Sequence, residues 1–156
     1  MSEIELLLLN NGENCTVYTI QFLDDDRHEF EKFVSKFREN AEFNDDYQKI
    51  AAFISQILHR GALERYFRRE GKMKDSVVAL PVYTSRLRLY GLRLSDKILI
   101  LGNGDVKAMR TYNEDETLRG YVVTLQKFEQ LLQKGVADGT VKITEDTIET
   151  DKTFEL

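Results

Sequence analysis

From Lys97 to Leu101 the chain reads Lys-Ile-Leu-Ile-Leu, an apolar run that directly follows a segment of alternating apolar and polar residues. Successive side chains of a strand point to opposite faces, so an unbroken apolar run predicts a strand buried on both sides, at the centre of a sheet. Before it, Arg86-Leu87-Arg88-Leu89-Tyr90 alternates strictly. That pattern places Leu87 and Leu89 on a core face and Arg86, Arg88 and Tyr90 together on the other. Beyond Gly91 the apolar positions move to Leu92 and Leu94, and a change of phase at a glycine predicts a β-bulge. Ser95-Asp96 turns the chain into the apolar run, and Asn103-Gly104 predicts a second hairpin. The expected strands lie near 86–94, 97–101 and 105–112.

Upstream, Ile4 to Leu9 and Thr16 to Leu23 read as two apolar segments around the turn Asn10-Asn11-Gly12. In the second, Tyr18, Ile20 and Phe22 alternate with Thr19 and Gln21, as in a half-buried strand. Asp24, Asp25 and Asp26 suit the positive end of a helix. They do not make a metal cage, because consecutive carboxylates diverge and no second acidic cluster completes one. Phe30, Phe33, Val34 and Phe37 then fall on one face of a helix over 27–40. Asn44, Asp45 and Asp46 offer the cap of another, over 45–60, whose stripe runs through Tyr47, Ile50, Ala51, Ile54, Ile57 and Leu58 to a stop at Gly61. Core packing accounts for the phenylalanine stripe without a ligand. Val77 to Tyr83 is β-rich, with Pro81 marking an edge or an irregular strand start. Asn113 and Glu116 have the spacing of a capping box before a helix over 114–134, with Leu118, Tyr121, Val122, Leu125, Phe128 and Leu132 on one face. After Val136 there is a candidate short strand over Val141 to Thr144 and then an acidic stretch.

These 156 residues are expected to form one domain, 1–156, with an N-terminal extension over 1–15 and an acidic C-terminal tail from about 136 to 156. The longest apolar run, Leu6 to Leu9, is far short of the ~20 residues a membrane-spanning helix needs. With Glu3 and Glu5 in place of a basic leader, the expected location is the cytoplasm. The single Cys15 has no internal disulfide partner, and His28 and His59 are too few for a multi-histidine site, so neither a metal nor another cofactor is expected. A net charge of −5 argues against a nucleic-acid partner until the charge is mapped along the chain. Met1 to Leu58 carries five Lys and Arg against twelve Asp and Glu, His59 to Tyr112 twelve against five, and Asn113 to Leu156 five against ten. The middle third is therefore basic, which marks either an anion-facing surface or a solvated cationic face.

The segment LRLYGLRLSDKILILGNGDVKAMRTY, Leu87 to Tyr112, together with the order strand, two helices, basic connection, antiparallel strands and helix, resembles the RelE/HigB superfamily of bacterial toxin–antitoxin toxins, in its phage-derived HigB-like branch. The likeness covers roughly Thr16 to Leu132. It implies an α+β, RelE-like fold, a mostly antiparallel sheet packed against an N-terminal helical hairpin and a C-terminal helix. It also implies metal-independent cleavage of messenger RNA, on the ribosome, by attack of a ribose 2′-OH on the adjacent phosphate, with an antitoxin protein as partner. Carried over residue by residue, the catalytic set is Arg86, Arg88, Lys107, Arg110 and Tyr112, and the RNA-binding set is Arg68, Arg69, Lys72 and Lys74. By strand parity Lys107 and Arg110 face opposite sides. Two readings stay open: an endoribonuclease, and a noncatalytic descendant that binds RNA or protein. A homo-oligomer is compatible with either.

Overall fold

The computed structural model describes residues 2–72, 74–81, 83, 85–107 and 116–156. Strands β1 (Glu3–Asn11) and β2 (Thr16–Phe22) come first, followed by helices α1 (Glu29–Phe37) and α2 (Asn44–Arg60). A 3-10 turn at Glu64–Tyr66 leads to β3 (Arg68–Arg69), β4 (Val77–Leu80), β5 (Leu87–Ser95) and β6 (Ile98–Val106). Helix α3 (Glu116–Asp138) precedes a small hairpin, β7 (Lys142–Ile143) and β8 (Ile148–Glu149), and a last strand β9 (Phe154–Glu155). Among the described residues, the main sheet has seven strands in the order β3-β4-β5-β6-β2-β1-β9. β2 runs parallel to β6, and the other neighbours are antiparallel.

The RelE-like arrangement expected from the resemblance is corrected by this topology. The sheet is mixed, two strands precede the first helix, the α1–α2 pair is inserted between β2 and β3, and α3 lies between β6 and β7. The helices cover opposite faces. Leu87, Leu89, Leu99 and Leu101 pack with Phe33, Phe37, Ile50 and Ile57 from α1 and α2. Tyr90, Leu92, Ile98 and Ile100 pack with Val122, Leu125, Phe128 and Leu132 from α3. The alternation in β5 therefore does not separate core from solvent; both of its faces are interior. β6 is central, as its apolar run predicts.

Residues 1–15 contain β1, paired along β2 from Ile4 opposite Phe22 to Asn11 opposite Thr16. The C-terminal stretch returns to the sheet: β9 pairs with Glu3 and Ile4, Phe154 packs edge-on against Phe128 at 5.0 Å, and the Tyr18 hydroxyl accepts the Ile148 N–H at 2.9 Å. Among the described residues, no helix is long and apolar enough to cross a membrane.

Asn103-Gly104 is not a turn. Both residues lie within β6, where Gly104 pairs with Leu89 and Leu101 with Gly91, so β6 carries one more residue than β5 over that interval. The bulge anticipated near Gly91 thus belongs to the opposite strand. A Cβ on Gly104 would lie 1.9 Å from the Arg88 carbonyl oxygen; the glycine serves close backbone approach, not a turn. Asp105 and Val106, the start of the expected strand over 105–112, end β6, and 108–115 lies outside the described residues. The cap of α1 is His28, whose Nδ1 accepts the Glu31 N–H at 3.0 Å, not the aspartates before it. Helix α2 follows Phe43, which makes no side-chain cap, and places Asp45 and Asp46 in its first turn.

Candidate anion-binding site

The pairing of β3 at the rim divides its two arginines. Arg68 lies opposite Ala79 and Arg69 opposite Val78. Ala79 belongs to the core under α3 and Val78 to the core under α1 and α2, so alternation directs Arg68 to the α3 side and Arg69 to the other. On β5 the α3 side is that of Tyr90, and Arg88, two residues earlier, shares it. Arg88 is only 1% exposed, and its Nε and Nη1 find no hydrogen-bond partner among the described residues. A guanidinium stays charged and carries five N–H donors, so this is a costly arrangement for the fold alone. Burial pulls the Arg88 pKa down and the nearby Arg68 adds to the effect, while Glu70 and Tyr90 oppose it.

Glu70 is half-buried in the same group. Desolvation pushes its carboxyl above the ordinary glutamate value of 4.5, against the pull of Arg68, Arg88 and Lys107. Three cations and one carboxylate inclined to hold its proton thus interact at one end of the sheet, on the α3 side. Such a set suits an oxyanion: guanidinium and ammonium groups supply charge-assisted donors, and the carboxyl can pass a proton. Sequence reasoning passed over Glu70. Its one local signal is that it stands two residues after Arg68 and shares its parity.

The other sequence candidates fall elsewhere. Arg86 turns towards α2, where Asp46 Oδ2 accepts from its Nη2 at 2.7 Å and its guanidinium lies 4.6 Å from the Phe43 ring centre. Its Nη2 also donates to the Glu42 carbonyl at 2.7 Å, so it does not join Arg88. Arg69 lines a cavity of about 320 Å³ with Phe67, Val78 and Arg93. Lys72 and Lys74 are exposed beside α3, at a cavity of about 230 Å³ bordered by Gln126 and Glu129. The connection that carries them is held by two carboxylates. Asp75 accepts from Lys72 N at 2.8 Å, Val77 N at 3.1 Å and Gln126 Nε2 at 2.9 Å, and Glu129 accepts from Ser76 N at 2.9 Å and Ser76 Oγ at 2.5 Å. Lys107 continues from β6 with its N–H on the Arg86 carbonyl at 2.7 Å. Arg110 and Tyr112 lie outside the described residues. Among the described residues, no three His, Cys, Asp or Glu side chains converge as a metal-ligand set.

Over the described residues, fold and site together define an α+β protein with a mixed seven-stranded sheet and a cation-rich cluster around a buried arginine. In comparisons with known proteins, no family model, no curated protein and no solved structure matches the chain.

Proposed function

We propose that this protein binds RNA at the Arg68–Glu70–Arg88–Lys107 cluster and cleaves it there without a metal. The observation that carries the reading is the buried Arg88, whose Nε and Nη1 have no hydrogen-bond partner among the described residues, beside a carboxyl whose pKa is raised. In the proposed reaction, ionised Glu70 takes the proton of a ribose 2′-OH, the 2′-oxygen attacks the adjacent phosphorus, and the bond to the 5′-oxygen breaks. The products are a 2′,3′-cyclic phosphate and a 5′-hydroxyl, the leaving 5′-oxygen taking its proton from solvent water while Glu70 returns the 2′-OH proton to solvent. Arg68, Arg88 and Lys107 hold the phosphate oxygens and offset the charge of the pentacoordinate transition state. Lys72 and Lys74 extend the cationic track along the flank of α3. The resemblance of Leu87 to Tyr112 to HigB-like toxins supports RNA as the anion, with the ribosome as the setting and an acidic antitoxin segment as the natural cover for the same cations.

The test is a labelled single-stranded RNA incubated with the full chain in chelator, with and without ribosomes, comparing the wild type, Glu70→Gln and Arg88→Met. Cleavage ending in 2′,3′-cyclic phosphate, lost in Glu70→Gln while RNA binding persists, is the expected result. Binding that weakens steeply with salt but yields no product in any condition replaces the nuclease with an RNA-binding module. Neither binding nor cleavage removes RNA as the partner.

A further inference from the structure

Among the described residues, the outer side of β1 is covered only at its beginning. There β9 pairs with Glu3 and Ile4, and Leu156 N donates to the Ser2 carbonyl at 3.0 Å. On the inner side the Glu3 carbonyl accepts from Leu23 N at 2.9 Å, with Glu5 opposite Gln21 and Leu7 opposite Thr19. In an antiparallel ladder, alternate residues address the same neighbour, so Glu3, Glu5 and Leu7 bond to β2, whereas Ile4, Leu6 and Leu8 point outward. β9 takes Ile4. Among the described residues, no hydrogen bond reaches the outward backbone groups of Leu6 and Leu8.

The side chains along this edge are as unusual as its backbone. Leu8 is 59% exposed, Leu6, Leu7 and Leu9 are half-exposed, and no charged residue or proline occurs from Leu6 to Asn11. Sheet edges are ordinarily guarded by lysine, proline, a bulge or a covering element, and an uncharged leucine edge is a template for another strand. We propose that this edge pairs with the same edge of a second copy of the chain, antiparallel, about a two-fold axis at Leu7.

The register follows from what each end of the edge allows. Pairing Leu6 with Leu6 of the second copy would bring Leu8 against Ile4, where β9 already sits. Centring on Leu8 would run the contact into the irregularity between Leu8 and Asn10. Centring on Leu7 sets Leu6 opposite Leu8 in both directions, joins the outward backbone groups of these residues and ends there, because Asn10, the residue that would face Ile4 and β9, lies past the irregularity where the strand leaves this register. It also keeps Glu5 opposite Leu9, ~14 Å along the strand from Glu5 of the second copy, so no like charges meet. The edge is self-complementary in shape and charge, as a two-fold interface must be.

Sedimentation equilibrium over a concentration series tests this with the full chain. The expected result is a concentration-dependent rise from the 18.2 kDa monomer towards twice that mass. Leu8→Lys, at an already exposed position, leaves circular dichroism unchanged and weakens association by about tenfold or more. Leu7→Cys adds a readout that does not depend on affinity. Facing residues at a non-hydrogen-bonded pair approach to ~4.5 Å between Cα atoms, within disulfide reach, so mild oxidation links the variant into dimers. A wild type that stays at monomer mass throughout overturns the proposal. So does a dimer that Leu8→Lys leaves intact and Leu7→Cys fails to cross-link, because its interface then lies elsewhere.

Discussion

Protonation of Glu70 acts in opposite directions on binding and on cleavage. Its neutral form removes the one carboxylate from among Arg68, Arg88 and Lys107, so RNA affinity is expected to strengthen as pH falls through a pKa that lies above 4.5. Cleavage needs the ionised form and rises with pH across the same window; Glu70→Gln flattens the pH dependence of binding there, measured by fluorescence anisotropy. A carboxyl whose pKa is raised by folding contributes stability below its unfolded value and loses it as pH rises through the folded one, so the cluster is least stable where it is most reactive. Arg88 carries a related trade. Arg88→Met keeps much of the side-chain volume and removes a buried charge whose Nε and Nη1 lack hydrogen-bond partners among the described residues, so thermal unfolding should hold or shift upward while RNA affinity drops about tenfold or more. Cys15 is a simpler case: 2% exposed, its thiol is pushed up to about 11, chiefly by burial. Iodoacetamide at pH 8 should leave it unmodified in the native protein and alkylate it in urea.

At the scale of elements, helices and most strands were legible because their signal is local. The stripes through Phe33 and Leu125 repeat at helical spacing, and the run ending at Leu101 has no polar side to expose. Asn103-Gly104 misled for a physical reason. Glycine permits a tight turn, but it also permits a backbone to approach another backbone, and the two uses look identical in one chain. Gly104→Ala tests the second use directly. With the Arg88 carbonyl 1.9 Å from the added carbon, β5 and β6 must separate, and unfolding should show a loss of about 2–3 kcal/mol. A variant as stable as the wild type would argue against that close approach.

At the scale of the whole molecule, closure of the sheet depends on its last residues. Phe154 is 2% exposed against Phe128, and β9 covers the start of β1. Phe154→Ala should cost ~3–5 kcal/mol in chemical denaturation, as for other buried aromatics, although only two residues follow it in the sequence. From the sequence alone came the helical faces, the central strand and the basic middle third, because each is a pattern among near neighbours. Tertiary structure alone decided that β2 runs parallel to β6, that α3 roofs the face bearing Arg88, and that Arg86 turns away to Asp46. It also gathered Arg68, Glu70, Arg88 and Lys107 into one cluster. Those outcomes depend on which strand lies beside which, and strand pairing is settled by backbone hydrogen bonds and shared burial between residues far apart in the chain.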